Sequence, residues 1–173
     1  LEAAIRCDLF EWRNSAEGRL AEIIVLDQFS RNIDRGSPLS FAGDNLALAL
    51  SQEAISSGDD KKIALEKRTF MYMPFMHSED LADQEAGIRL FASIPNNQNT
   101  VGYAEQHRDI IARFGRFPHR NTVLTRSSTR DTEVTRSAAS SSMLRSRRLL
   151  RSSASAPTAA SDATTPIATM ANG

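Results

Sequence analysis

The sequence predicts an all-α fold, arranged as antiparallel helical hairpins or a bundle and followed by a tail that does not fold. Apolar residues recur at helical spacing in successive windows, and no window alternates as a strand does. Glycine and proline separate these windows by short loops, which favours antiparallel neighbours. At 173 residues, the chain is long enough for one domain with a sizeable core.

Six helices are expected within residues 1–124. The first, Leu1–Trp12, begins in mid-pattern, so we expect helical residues before Leu1. The second covers about residues 15–33, carries the most apolar run, and is predicted to be capped by Asn14. The other four are predicted at Asp44–Ser57, Ile63–Met73, 78–93 and Val101–Phe114.

Single residues refine these predictions. Gly58 and Gly115 are expected to end helices, Gly115 in the left-handed conformation, and Pro74 is expected to end the helix before it. Ser78 is predicted to cap the next helix. The segment 59–62, Asp-Asp-Lys-Lys, is expected to be a solvated connection, and Cys7, the only cysteine, a small buried hydrophobe.

The charge distribution separates two regions. Residues 1–124 carry 14 Lys and Arg against 18 Asp and Glu, whereas residues 125–173 carry 7 against 3. The acidic balance of the first region argues against a nucleic-acid surface. No apolar run is long enough to span a bilayer, so we expect no membrane insertion. A lone cysteine fits a reducing compartment, and we predict a cytoplasmic protein.

The predicted tail, residues 125–173, contains 11 Ser, 8 Thr, 9 Ala and 7 Arg and no aromatic residue. So few large apolar side chains cannot offset the entropy lost on ordering. The domain boundary is therefore predicted near Leu124, with a disordered tail beyond it.

Three polar stretches carry the candidate chemistry: Leu26–Asn32, His77–Gln84 and His107–Asn121. We expect them to meet in space. Asp27 lies in a very apolar helix and needs a partner if it is buried, either Arg31 one turn away or a distant arginine such as Arg116 or Arg120. Candidate ligand-binding residues drawn from the three stretches are Asp27, Arg31, His77, Asp80, Asp83, His107, Arg113, Arg116, His119 and Arg120.

Three interpretations of these residues stay open. An acid–arginine network would be structural, a surplus of positive charge near a helix end would bind an anion, and histidines with Asp80 and Asp83 would ligate a metal. The spacing is not the HExxH of a helix-borne zinc site. We therefore predict no resident metal or cofactor.

The same stretches resemble a known family. The blocks Leu26–Gly36 (LDQFSRNIDRG), Pro74–Gln84 (PFMHSEDLADQ) and His107–Asn121 (HRDIIARFGRFPHRN) are similar, in this order, to signature blocks of the domain of unknown function number 924. The resemblance covers about residues 1–124. It implies an all-α, tetratricopeptide-like fold and no known activity, although the sequence shows no clean 34-residue repeat.

Two functions from different classes follow. The first is a binding module in which Arg113, Arg116 and Arg120, with Asp80 and Asp83, take a peptide or a small anionic ligand. The second is a metal-assisted or acid–base hydrolase that uses His77, Asp80, His107 and His119. A purely structural polar network is the third possibility. The sequence predicts no oligomeric state.

Overall fold

The computed structural model describes residues 1–128, and this part of the chain is helical and contains no strand. Its α-helices are α1 (Glu2–Ile5), α2 (Ala16–Ile24), α3 (Ser30–Ile33), α4 (Asp44–Ser56), α5 (Arg68–His77), α6 (Leu81–Ala92) and α7 (Gln98–Phe114). Short 3-10 turns lie at Phe10–Asn14, Pro38–Phe41, Asp59–Lys61, Leu65–Lys67 and Pro118–Arg120. The all-α prediction is confirmed. The disorder predicted for the tail beyond residue 128 lies outside the described residues.

The apolar core is built around α2, α4 and α5. Helix α2 packs on α4 and α5, α5 packs on α6, and α6 packs on α7. The largest buried apolar side chains in this core include Ile23, Leu26, Met71, Tyr72 and Phe91. Among residues 1–128, no helix combines the length and the apolarity needed to cross a bilayer.

The predicted helix over residues 15–33 is present, with one irregularity. A π turn, Val25–Phe29, joins α2 to α3 without breaking the helical path. Such turns shift the helical register by one residue and are frequent at functional sites. Here the π turn buries Leu26 and Asp27 side by side. The cap of α2 is Ser15 rather than Asn14, because the Ser15 side chain accepts from the amide of Gly18.

The predicted helix Leu1–Trp12 is wrong beyond Ile5. The chain turns through Cys7, whose φ of 62° is left-handed, and Cys7 is exposed rather than buried. This segment leads into the 3-10 turn Phe10–Asn14, which places Arg13 beside Glu22. Arg13 donates two hydrogen bonds of 2.7 Å to the Glu22 carboxylate, whose side chain is fully buried. A buried carboxylate requires such a partner, and this long-range need outweighs the local helical pattern.

The segment after α4 is not a solvated connection. Asp59 and Asp60 are both buried. Arg19 donates to Asp59 at 3.1 Å, and the Tyr72 hydroxyl donates to Asp60 at 2.7 Å. Gly58 follows the end of α4, as predicted, and its φ of 74° lies in the left-handed region.

Helix α5 passes through Pro74 instead of ending before it. Proline in a helix interior costs about 3 kcal/mol through its missing donor and its ring. The residues around it, Met71–Met76, are all buried, and each large apolar side chain contributes roughly 1.5–3 kcal/mol on burial. Burial therefore outweighs the local cost. The helix ends at His77, and Asp80 rather than Ser78 caps α6 by accepting from the amides of Ala82 and Asp83.

Gly43 fixes how closely α4 approaches the π turn. A Cβ on Gly43 would lie 2.6 Å from the backbone oxygen of Leu26, a contact that requires the backbone to move. We expect Gly43→Ala to lower the free energy of unfolding by about 1–3 kcal/mol, the usual cost of overpacking a tight contact. Urea denaturation followed by circular dichroism measures this change.

Gly102 provides the matched control. It lies inside α7, and an added Cβ would meet nothing within 4 Å. Gly102→Ala should leave the stability unchanged or raise it by about 0.5–1 kcal/mol, because alanine loses less entropy in a helix. Equal effects of the two substitutions would show that the approach of Gly43 to Leu26 is not tight.

Candidate functional site

Side chains from the three polar stretches meet around His77, together with one residue that begins α4. We call this group the His77 cluster. Its members are Asp27, Arg31, Asp44, His77, His107, His119 and Arg120. The π turn and α3 supply the first two, α5 ends at His77, α7 carries His107, and the Pro118–Arg120 turn supplies the last two.

The Asp27–His77 pair lies at the centre of the His77 cluster. His77 Nδ1 is 2.6 Å from Asp27 Oδ1. The Asp27 side chain is 1% exposed, whereas that of His77 is 16% exposed. Because Nδ1 faces a carboxylate, it carries the proton, and the free pair of electrons lies on Nε2. Nδ1, and not Nε2, is the ring nitrogen that lies against this carboxylate.

Three side chains hold the Asp27 carboxylate. Besides His77, Arg31 Nη1 lies 3.0 Å from Oδ1, and the Gln28 amide donates to Oδ2. Burial would raise the pKa of Asp27, but the contacts with His77, Arg31 and Gln28 outweigh burial and lower it to about 2. Asp27 is therefore ionised at neutral pH. Burial and the Arg31 charge lower the pKa of His77 despite its carboxylate partner, so His77 is neutral there.

Asp44 joins the two buried arginines of the His77 cluster. Arg31 approaches it as a fork, with Nη1 2.8 Å from Oδ1 and Nη2 donating to Oδ2 at 2.9 Å. Arg120 Nη1 donates to the same Oδ2 at 3.1 Å. As the first residue of α4, this carboxylate also faces the positive end of the helix.

Arg120 connects the Pro118–Arg120 turn to α5. Its Nη2 donates to the backbone oxygen of His77 at 2.9 Å. Its guanidinium lies between the rings of Phe41 and Phe117, 4.6 Å from each centroid. Burial lowers the pKa of Arg120 to about 10 although Asp44 opposes the shift, so Arg120 stays charged at neutral pH.

His107 and His119 pack on either side of Phe117, with ring centroids 5.6 and 5.5 Å from it. His107 Nδ1 lies 2.7 Å from the Tyr103 backbone oxygen. Burial, with smaller effects of His77 and Arg120, lowers the pKa of His107 to about 4. Burial and the charge of Arg120 lower the pKa of His119 to about 3. All three histidines of the chain are neutral at pH 7.

The other four predicted site residues lie outside the His77 cluster. Asp80 caps α6 and is exposed, and Asp83 accepts from Ser78 and Gln52. Arg113 is exposed and stacks on the neighbouring Phe114 at 4.8 Å. Arg116 is half-buried and forms no ion pair within residues 1–128.

Only part of the pairing that we predicted for the buried acids is present. Asp27 pairs with Arg31, as its spacing allowed, and with His77 rather than Arg116 or Arg120. Asp44, which the sequence placed only as a helix start, takes Arg120 instead. The sequence held no further signal that pointed to Asp44 as this partner.

The arrangement limits the chemistry. The two buried guanidiniums face two carboxylates, so the positive surplus expected for an anion site is not present in the His77 cluster. Among residues 1–128, no group of three or more His, Cys, Asp or Glu has a geometry that holds a metal ion. What remains is a neutral imidazole that is anchored through Nδ1 and carries its electron pair on Nε2.

The fold and these blocks define an all-α protein of a family without an assigned activity. The chain belongs to the family described as "Bacterial protein of unknown function (DUF924)", which it matches over residues 1–135. It is also similar to the solved structure of the protein of unknown function ATU0120 from Agrobacterium tumefaciens. The two are 41% identical, the match covers 77% of this chain and 74% of that chain, and the TM-score is 0.72. No curated protein matches the chain.

The family match confirms the resemblance noted from the three blocks. Its range extends past Leu124, where we predicted the domain to end. Arg126, inside the predicted tail, forms an ion pair of 2.6 Å with Glu79. The first residues of that tail therefore contact the helical domain. The tetratricopeptide-like stacking of the helices stays a prediction.

Proposed function

We propose that the protein is an acid–base hydrolase of a small polar substrate, with His77 as the general base and Asp27 as the residue that orients it. The observation that carries this proposal is the Asp27–His77 hydrogen bond, which anchors Nδ1 and leaves Nε2 with its electron pair. A base of this kind accepts a proton from an attacking water or hydroxyl group. The carboxylate stabilises the imidazolium that then forms.

Burial and charge support this role. The His77 side chain is partly exposed, so water contacts it, whereas Asp27 is buried and keeps its orientation. Gln28 and Arg31 hold both oxygens of Asp27, and Arg120 holds the backbone of His77. The supporting groups lie on three different elements, which fixes the geometry of the pair. The proposal replaces the Asp80-containing set considered from the sequence.

A binding function without chemistry is the second candidate. Buried nitrogens of His119 (Nδ1) and Arg120 (Nε) have no hydrogen-bond partner among residues 1–128. Buried polar atoms normally find a partner, and a polar atom of a bound molecule would serve. With the guanidiniums already matched by Asp27 and Asp44, we propose a small polar ligand for this function rather than a strongly anionic peptide.

Steady-state hydrolysis of p-nitrophenyl acetate and p-nitrophenyl phosphate tests the first candidate. We expect His77→Asn and Asp27→Asn each to lower kcat/KM by about 100-fold or more, since general base catalysis contributes roughly 10²–10⁴-fold. The pKa of His77 is lowered, so the rate should stay at its plateau as the pH falls through 6.5 and decline only at more acidic pH.

Arg113→Ala is the matched control, because this exposed residue lies outside the His77 cluster and should keep full activity. Circular dichroism of each variant checks the fold. Wild-type protein that turns over neither ester would contradict the hydrolase. Thermal stabilisation by millimolar acetamide, a small neutral polar probe, without turnover would favour the binding function.

A further inference from the structure

The residues that follow α7 form a closed loop against the His77 cluster. We call residues 116–128 the strap. Within the strap, Leu124 N donates to the Arg120 oxygen at 2.9 Å, and Arg126 N donates to the Asn121 oxygen at 2.8 Å. The Asn121 amide also donates to the Ser128 hydroxyl at 3.2 Å. These bonds close the loop on itself, so it can move as one unit.

One carboxylate outside the strap holds both of its ends. Glu79 Oε1 accepts from the backbone amide of Phe117 at 2.9 Å. Glu79 Oε2 accepts from Arg126 Nη1 at 2.6 Å. Glu79 lies two residues after His77, in the short connection between α5 and α6. The residue that ties down the strap is therefore two positions from the candidate base.

The strap also supplies part of the His77 cluster. It carries His119 and Arg120, and Arg120 reaches Asp44 and the His77 backbone oxygen. Phe117, which packs on His107 and Arg120, is 1% exposed. Movement of the strap would withdraw these groups from the His77 cluster and release the His77 backbone oxygen.

We propose that the strap is a lid over His77 and that Glu79 is its latch. Closure completes the His77 cluster with His119 and Arg120. Opening starts with release of the Glu79 contacts and also requires Arg120 to leave Asp44 and the His77 oxygen. The two charge-assisted hydrogen bonds of the partly exposed Glu79 carboxylate suit a reversible closure, because movement of this one side chain breaks both. This proposal concerns access to His77 and does not require that His77 be a catalytic base.

Hydrogen–deuterium exchange and diethyl pyrocarbonate modification test the latch on the whole chain. We expect Glu79→Ala to speed amide exchange in peptides from residues 117–124 at least tenfold, with peptides from α2 and α4 unchanged. Glu79→Gln, which keeps an acceptor for the Phe117 amide, should give an intermediate rate. Carbethoxylation of His77 should accelerate in the same order. Trypsin separates the three histidines into the peptides 69–89, 90–108 and 117–120, so mass spectrometry follows each one.

Glu85→Ala is the matched control, since Glu85 is an exposed carboxylate on α6 and should change neither rate. Arg126→Ala, which removes one of the two Glu79 contacts, should reproduce part of the Glu79→Ala effect. Exchange in residues 117–124 that is unchanged by Glu79→Ala would overturn the latch, as would an equal acceleration throughout α2 and α4. Faster exchange of the strap without faster His77 modification would overturn the lid.

Discussion

Replacing Asp44 with alanine should lower the free energy of unfolding by about 3–5 kcal/mol, because breaking a buried ion pair leaves uncompensated charge. Arg31 and Arg120 both direct nitrogens at this carboxylate, and both guanidiniums are buried. Arg31 keeps Asp27 after the substitution, whereas Arg120 loses its one carboxylate among residues 1–128. Chemical denaturation of the two proteins measures the loss.

Asp109→Ala makes the same chemical change at an exposed ion pair. Asp109 pairs with Arg108, and its side chain is 68% exposed. Such pairs contribute about 0–1 kcal/mol. Asp44 also contributes roughly 0.3–1 kcal/mol to stability through the helix dipole. The losses in the free energy of unfolding for the two variants should therefore differ by more than this contribution. Losses of the same size at both positions would mean that the Asp44 carboxylate is hydrated and the arginines do not depend on it.

Acid should destabilise the protein well above the range in which carboxylates titrate. The pKa values of His107 and His119 fall from 6.5 to about 4 and about 3, mainly through burial. The unfolded chain therefore binds more protons than the folded chain between these values and pH 6.5. The stability contributed by the neutral histidines is complete above pH 6.5 and is lost as the pH falls below it.

The size of this effect follows from the pKa shifts. At pH 5, each of these two histidines should lower the free energy of unfolding by about 2 kcal/mol relative to pH 8, or by about 4 kcal/mol together. The lowered pKa of His77 acts in the same direction. Urea denaturation at pH 8 and pH 5 gives the difference, and an NMR titration gives each histidine pKa. In His107→Gln, the number of protons that the chain takes up on unfolding at pH 5 should be lower by about one. Equal stability at the two pH values would show that the histidines are hydrated.

The helical class and much of the element order follow from the amino-acid sequence. Helices α4, α6 and α7 lie where the apolar spacing predicted them, and Gly58 and Gly115 end helices with φ of 74° and 65°. These features depend on a few neighbouring residues, namely the side-chain period and the freedom of glycine in the left-handed region. The meeting of the three polar stretches was also expected, because so many charged groups in apolar helices need partners.

The tertiary structure alone decided which groups became partners. Pro74 stays inside α5 because its neighbours are buried, and Asp59 is buried because Arg19 reaches it across the fold. Asp27 faces His77, fifty positions along the chain, and Asp44 holds Arg120. Spacing along the chain does not encode these choices. They depend on where α4, α5 and the strap come together, and burial makes an unpaired charge too costly to leave there.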